Sequence, residues 1–186
     1  MSIVRSLISL HDRVFNSIEA LLGEWFLGFA ARFVFAAVLL MFFLNSAATK
    51  VGVGVPGMFI PGVGAYAQIL PPIAEAAGYD PSQIALFPWK ILVFAGTYAE
   101  FIIPIFLVIG LFTRLSSLSM IGFIVVMSFV DIQFHGADAA TIGAWFDRVH
   151  NSAISDQRLL WLFPLVYLLI KGAGPLSLDG LITKRR

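Results

Sequence analysis

Residues 89–112 read WKILVFAGTYAEFIIPIFLVIGLF, and after Thr113-Arg114 the chain resumes at 115–134 with LSSLSMIGFIVVMSFVDIQF. Each run reaches the roughly 20 residues that a helix needs to cross a bilayer. With only Thr113-Arg114 between them, the two crossings must form an antiparallel helical hairpin. Two further apolar runs, Trp25 to Leu44 and Leu159 to Ile170, lie on either side. The second of these reaches crossing length once Gln157, Arg158 and Lys171 snorkel to the interfaces.

Composition agrees. Of 186 residues, 59% are hydrophobic and 12% charged, with a mean hydropathy of +0.91. A soluble domain carries about 25% charged residues, and so few charges could not cover this much apolar surface in water. The expected fold is all-α: a four-helix membrane bundle over 24–172, with spans near 24–45, 89–112, 115–135 and 157–171. An interfacial amphipathic helix precedes it over 1–23, and a basic tail follows over 173–186.

The N-terminal stretch repeats Ile3, Leu7, Leu10, Val14, Ile18 and Leu21 at helical spacing, with Arg5, Arg13 and Glu19 off that face. Arg32 inside the first apolar run argues that this span is retained rather than cleaved after Ala47-Ala48. Between the first two spans, a Gly- and Pro-rich segment leads to a short helix over 65–77, interrupted at Pro71-Pro72. A second short helix is expected over 139–148, and Ser155 or Asp156 as the cap of the fourth span. Trp25, Trp89 and Trp161 read as interface anchors.

Several classes are excluded. A net charge of +1 leaves no basic face for nucleic acid. Absent cysteine removes thiolate nucleophiles and cysteine-held metal. The three histidines lie outside the spans, which argues against haem, and no metal site is expected. Orientation follows from the basic residues. Arg5, Arg13, Arg114, Lys171, Lys184, Arg185 and Arg186 share the side of the termini, against Lys50, Lys90, Arg148 and Arg158 on the other. Both termini are therefore expected in the cytoplasm, with the protein in a plasma (inner) membrane.

Arg32 and Glu100 are the ionisable residues at depth. Counting about 1.5 Å per residue from the span ends places them at similar heights on antiparallel neighbours, so they are expected to pair, with Gly28, Ala36 and Gly96 letting the backbones approach. Pro104 frees the carbonyl of Glu100, and Pro164 that of Leu160. Such a site suits a small molecule, a quinone or a proton; the alternative is that the pair only fixes helix packing. Near the other end, Asp131 and His135 share a helix face, and Lys50, Lys90 or Arg158 is the expected cation beside them. Lys50, Asp131 and His135 form the candidate outer polar cluster. Lys184-Arg185-Arg186 and Lys171 suit anionic lipid.

The chain also resembles the DoxX family of four-span membrane proteins. The likeness rests on Gly110-Leu111-Phe112-Thr113-Arg114 after the Glu100 run and on Gly174-Pro175-Leu176-Ser177-Leu178-Asp179 after the last span, with Ala31-Arg32 and Lys50-Val51-Gly52 in support. Ala47-Ala48-Thr49 departs from the family's usual glycine and aromatic residue before the lysine. The resemblance implies a four-helix bundle working with membrane oxidoreductase systems, like the membrane subunit of an archaeal thiosulfate:quinone oxidoreductase, or one linked to superoxide dismutase and a sulfurtransferase. Arg32, Lys50, Glu100, Thr113, Arg114, Ser177 and Asp179 occupy its motif positions. The functional expectation is a quinone-interacting subunit or docking partner of a redox system, with no cofactor of its own. A small carrier or permeability protein, and a structural scaffold, are the competing readings. Partners are the lipid bilayer, soluble or membrane redox proteins, or a second copy in a homo-oligomer. No catalytic residue is assigned.

Overall fold

The structure, a computed structural model, describes residues 2–52 and 54–184; Arg185 and Arg186 of the basic tail lie outside the described residues. Among the described residues, four helices are long and apolar enough to cross a membrane: Phe26–Ala48, Leu86–Ile109, Thr113–Gln133 and Ala153–Lys171. Only 22–28% of each span's most apolar window is buried, so most of that surface faces outward, as a bilayer solvent requires. The chain is a multi-pass integral membrane protein. The first span packs against the second and fourth, and the third does the same, closing a four-helix ring.

One stripe of the first span, Gly28, Ala31, Arg32, Phe35, Leu39, Phe43 and Ala47, is buried at helical spacing, and Lys50 just past the span continues it. Ala31, Phe35, Leu39 and Phe43 form the core with Leu107, Met120, Ile124, Leu165 and Leu168. Over Ala36–Leu40 the first span widens into a π-turn. A smaller core, Ala65, Tyr66, Ala74, Ile84 and Val93, lies under the connection between spans one and two.

Boundaries differ from the sequence reading for local reasons. The 65–77 segment does break at Pro71, which opens a new helix, but its ends shift: the two pieces are Val63–Ile69 and Pro71–Ala76. The 139–148 helix ends at Ile142, where Gly143 takes φ +70. Ser152, rather than Ser155 or Asp156, caps the fourth span. Its hydroxyl accepts the Asp156 amide at 3.2 Å and its own amide donates to the Asp156 carboxylate at 2.9 Å, a reciprocal capping box. That cap starts the span at Ala153 and leaves Trp161 inside it, packed on Phe42 at 5.2 Å between rings. Asp80 and Asp138 cap turns outside the spans. Hydrogen bonds from Ser82 and Thr141 hold their carboxyls below the usual carboxylate value.

The N-terminal helix, Ser2–Leu22, is exposed over residues 3–21, its apolar face included. The tail, by contrast, is folded. Helix Leu178–Lys184 docks under the hairpin between spans two and three. Gly110 ends the second span at φ +69, and a Cβ there would come within 2.5 Å of the Ser177 side chain. The Asp179 carboxylate accepts the amides of Phe112 and Thr113 at 2.8 Å each, and the Asp179 amide donates to the Gly110 carbonyl at 2.9 Å. Ser177 closes the turn by donating to the Gly174 carbonyl and accepting the Gly180 amide at 3.0 Å. Gly28 lies so close to this joint that a Cβ would approach the Ala173 carbonyl oxygen within 2.6 Å. Its small size therefore serves the tail, not the second span.

Removing the carboxylate that caps the third span leaves two amides without their acceptor. Asp179→Ala should cost about 2 kcal/mol of stability, read as a lowered Tm in detergent. An unchanged Tm would contradict the joint.

Candidate functional site: a polar cavity between the second and third spans

Side chains on a helix lean toward that helix's N-terminus, and this direction sorts the charges. The first and second spans are antiparallel, so Arg32 leans toward the terminal end of the bundle while Glu100 leans away from it. The expected Arg32–Glu100 pair does not form. Arg32 donates to the Val108 carbonyl at 2.9 Å and to the Leu176 carbonyl. Val108 lies roughly 12 Å along the second span from Glu100, at about 1.5 Å per residue. Arg32 thus belongs to the joint that holds the tail. Gly96 likewise packs on the Ile69 side chain rather than on the first span's arginine.

The partner of Glu100 is Lys50. Its ammonium donates to Glu100 Oε2 at 2.8 Å, and both side chains are 4% exposed. Lys50 follows the end of the first span and folds back one turn, donating also to the hydroxyl of Ser46 at 2.8 Å and to its carbonyl at 3.3 Å. All three ammonium donors are satisfied, which is the condition for keeping a charge in an apolar interior. Lys50 therefore leaves the expected outer cluster and joins the intramembrane one.

Asp131 and His135 do meet, through Nδ1 and Oδ1 at 2.9 Å. Their cation is Arg158 from the fourth span. One guanidinium nitrogen donates to Asp131 Oδ2 and the other to the Ser128 hydroxyl at 2.8 Å. An acid near a helix C-terminus is poorly placed against the dipole, and the arginine offsets that.

Both clusters line one cavity of about 860 Å³. Ala95, Gly96, Ala99 and Glu100 form one wall, and Ser119, Gly122, Phe123 and Val126 the facing one, with Gln68 and Ile69 of the connection above. The small residues leave the space open: nothing lies within 4 Å of a Cβ built on Gly122. This is a mostly apolar chamber with two sets of convergent polar groups, within the usual size range of small-molecule sites, roughly 300–1,000 Å³.

Sequence reasoning missed Ser46, Ser128 and Gln68. Two of them carried a signal, since Ser46 precedes Lys50 by one helical turn and Ser128 shares a face with Asp131. The motif residues Thr113, Ser177 and Asp179 lie at the terminal joint, away from this chamber, and Arg114 stands beside them. No protein-family model, curated protein or solved structure matches the chain.

A double-mutant cycle separates the two pairings. Glu100→Ala leaves a buried ammonium unpaired and should cost about 3–5 kcal/mol, with Lys50→Met/Glu100→Leu recovering most of the loss. Arg32 and Glu100 should couple by less than about 0.5 kcal/mol. Unfolding in a detergent series reads both. A larger coupling to Arg32 than to Lys50 would overturn the assignment.

Proposed function

We propose that this protein is the membrane subunit of an oxidoreductase system and binds a quinone in the chamber between its second and third spans. One observation carries the reading. An apolar cavity of about 860 Å³ presents Lys50–Glu100 in one part and Arg158–Asp131–His135 in another. A quinone head has two carbonyl oxygens on an apolar ring and needs donors near both. Arg158 and His135 supply donors at one end and Glu100, when it holds a proton, at the other, beside a Lys50 whose own donors are engaged by Glu100 and Ser46. Glu100, Asp131 and His135 are groups able to hold a proton beside a head that gains protons on reduction. The chain has no cysteine and is read as bringing no redox group, so the electrons would come from a partner protein's cofactor.

The DoxX-like hairpin and tail motifs support the same reading. They form the docked joint at the terminal end, which is a rigid face for such a partner. The Lys/Arg excess at that end supports a cytoplasmic location for both termini and insertion in the plasma (inner) membrane. Arg32 is a packing residue in this account, and Lys50–Glu100 replaces Arg32–Glu100 as the polar site.

Gly122→Leu tests the reading because it projects a side chain into the chamber from a position where a Cβ meets nothing within 4 Å. It should weaken binding of a short-chain quinone by about tenfold or more, equivalent to about 1.4 kcal/mol, and leave Tm unchanged or raised, since leucine is the better helix former. Fluorescence quenching and thermal unfolding read the two effects. Full quinone affinity in Gly122→Leu would refute the site.

A further inference from the structure

A second cavity, of about 630 Å³, opens at the terminal end of the bundle, between the start of the third span, the end of the fourth and the C-terminal helix. Its walls carry Arg114, Lys171 and Lys184. All three are exposed, and among the described residues none lies within salt-bridge distance of a carboxylate. The one carboxylate in the wall, Asp179, is committed to the amides of Phe112 and Thr113. This is the reverse of the chamber between the spans, where Lys50 and Arg158 each have an acidic partner.

The cations are also gathered by the fold. The Arg114 side chain passes over Gly172, with Nε 3.7 Å from the position of a Cβ there, which brings it beside Lys171. Gly172 has φ +79, a conformation that glycine adopts without strain. Phe112 and Leu115 flank the opening and expose 62% and 65% of their surface. A concave basic site with an apolar border, at the level where helix ends meet head groups, matches a phosphate attached to acyl chains. The arginine fork and the lysine point charges are the donors that recognise phosphate oxygens.

We propose that this cavity binds a phosphate group through Arg114, Lys171 and Lys184, either as the head of an anionic lipid or as free phosphate. The site is independent of the quinone reading and stands or falls separately. Native mass spectrometry of the full chain, released from detergent with added phosphatidylglycerol or phosphatidylcholine, tests it. The wild-type chain should retain phosphatidylglycerol preferentially. Each lost charge should weaken retention about fivefold, so Arg114→Gln/Lys171→Gln should lose roughly 25-fold. Arg5→Gln/Arg13→Gln removes the same charge from the N-terminal helix and should retain the lipid.

Arg114→Lys/Lys171→Arg should keep most of the binding. If Arg114→Gln/Lys171→Gln does not fold, Lys184→Gln gives the reading, with about a fivefold loss expected. Displacement of the lipid by inorganic phosphate assigns recognition to the phosphate itself, and failure to displace assigns it to the lipid; both uphold the proposal. No preference for phosphatidylglycerol in the wild type, or equal losses in the cavity and N-terminal helix variants, would overturn it.

Discussion

The buried Lys50–Glu100 ion pair is the constraint on which the rest of the architecture depends. A lone charge at the centre of a span costs about 2.5–3.5 kcal/mol on insertion scales, and Glu100 sits within a helix of otherwise apolar character. Its partner comes from the end of the first span, and reaching it requires Lys50 to fold back beside Ser46. That contact draws the start of the long connection down over the second span. The helices Val63–Ile69 and Pro71–Ala76 then pack against the second span beside Val93, and Ile69 and Gln68 cover the chamber.

The two ends of the bundle are built by opposite means. At the terminal end, Arg32, Asp179 and Ser177 place charge and hydroxyl on backbone groups that a tight hairpin and a docked tail leave without helical partners. Carbonyls and amides at membrane depth must find such partners, so these polar side chains close the structure. At the other end, small residues on two facing helices keep space open, and each cation there has a carboxylate partner. The first set ties helix ends to the tail, and the second leaves a chamber open between two spans.

Much of this was legible in the sequence. The spans follow from hydropathy because lipid leaves the backbone few alternatives to a helix. The Asp131–His135 contact follows from spacing on one face. Residue counting failed for Arg32 and Glu100 because it tracks Cα height, whereas long side chains end up to a turn away, in opposite senses on antiparallel helices. Lys50 was displaced for the same reason: it lies past its helix, and its ammonium lies back inside. The folded tail was hidden because Asp179 and Ser177 act on backbone amides far away in sequence, a relation that no periodicity encodes. The cap at Ser152 was missed by a few residues.

The most direct test of the central claim, that the chamber between the second and third spans holds a quinone, is photolabelling with an azido-quinone followed by peptide mapping. The account predicts labels on chamber residues such as Ala99 and Ser119, competed away by unlabelled quinone. Labels confined to lipid-facing positions such as Phe29 and Phe33, insensitive to competitor, would contradict it.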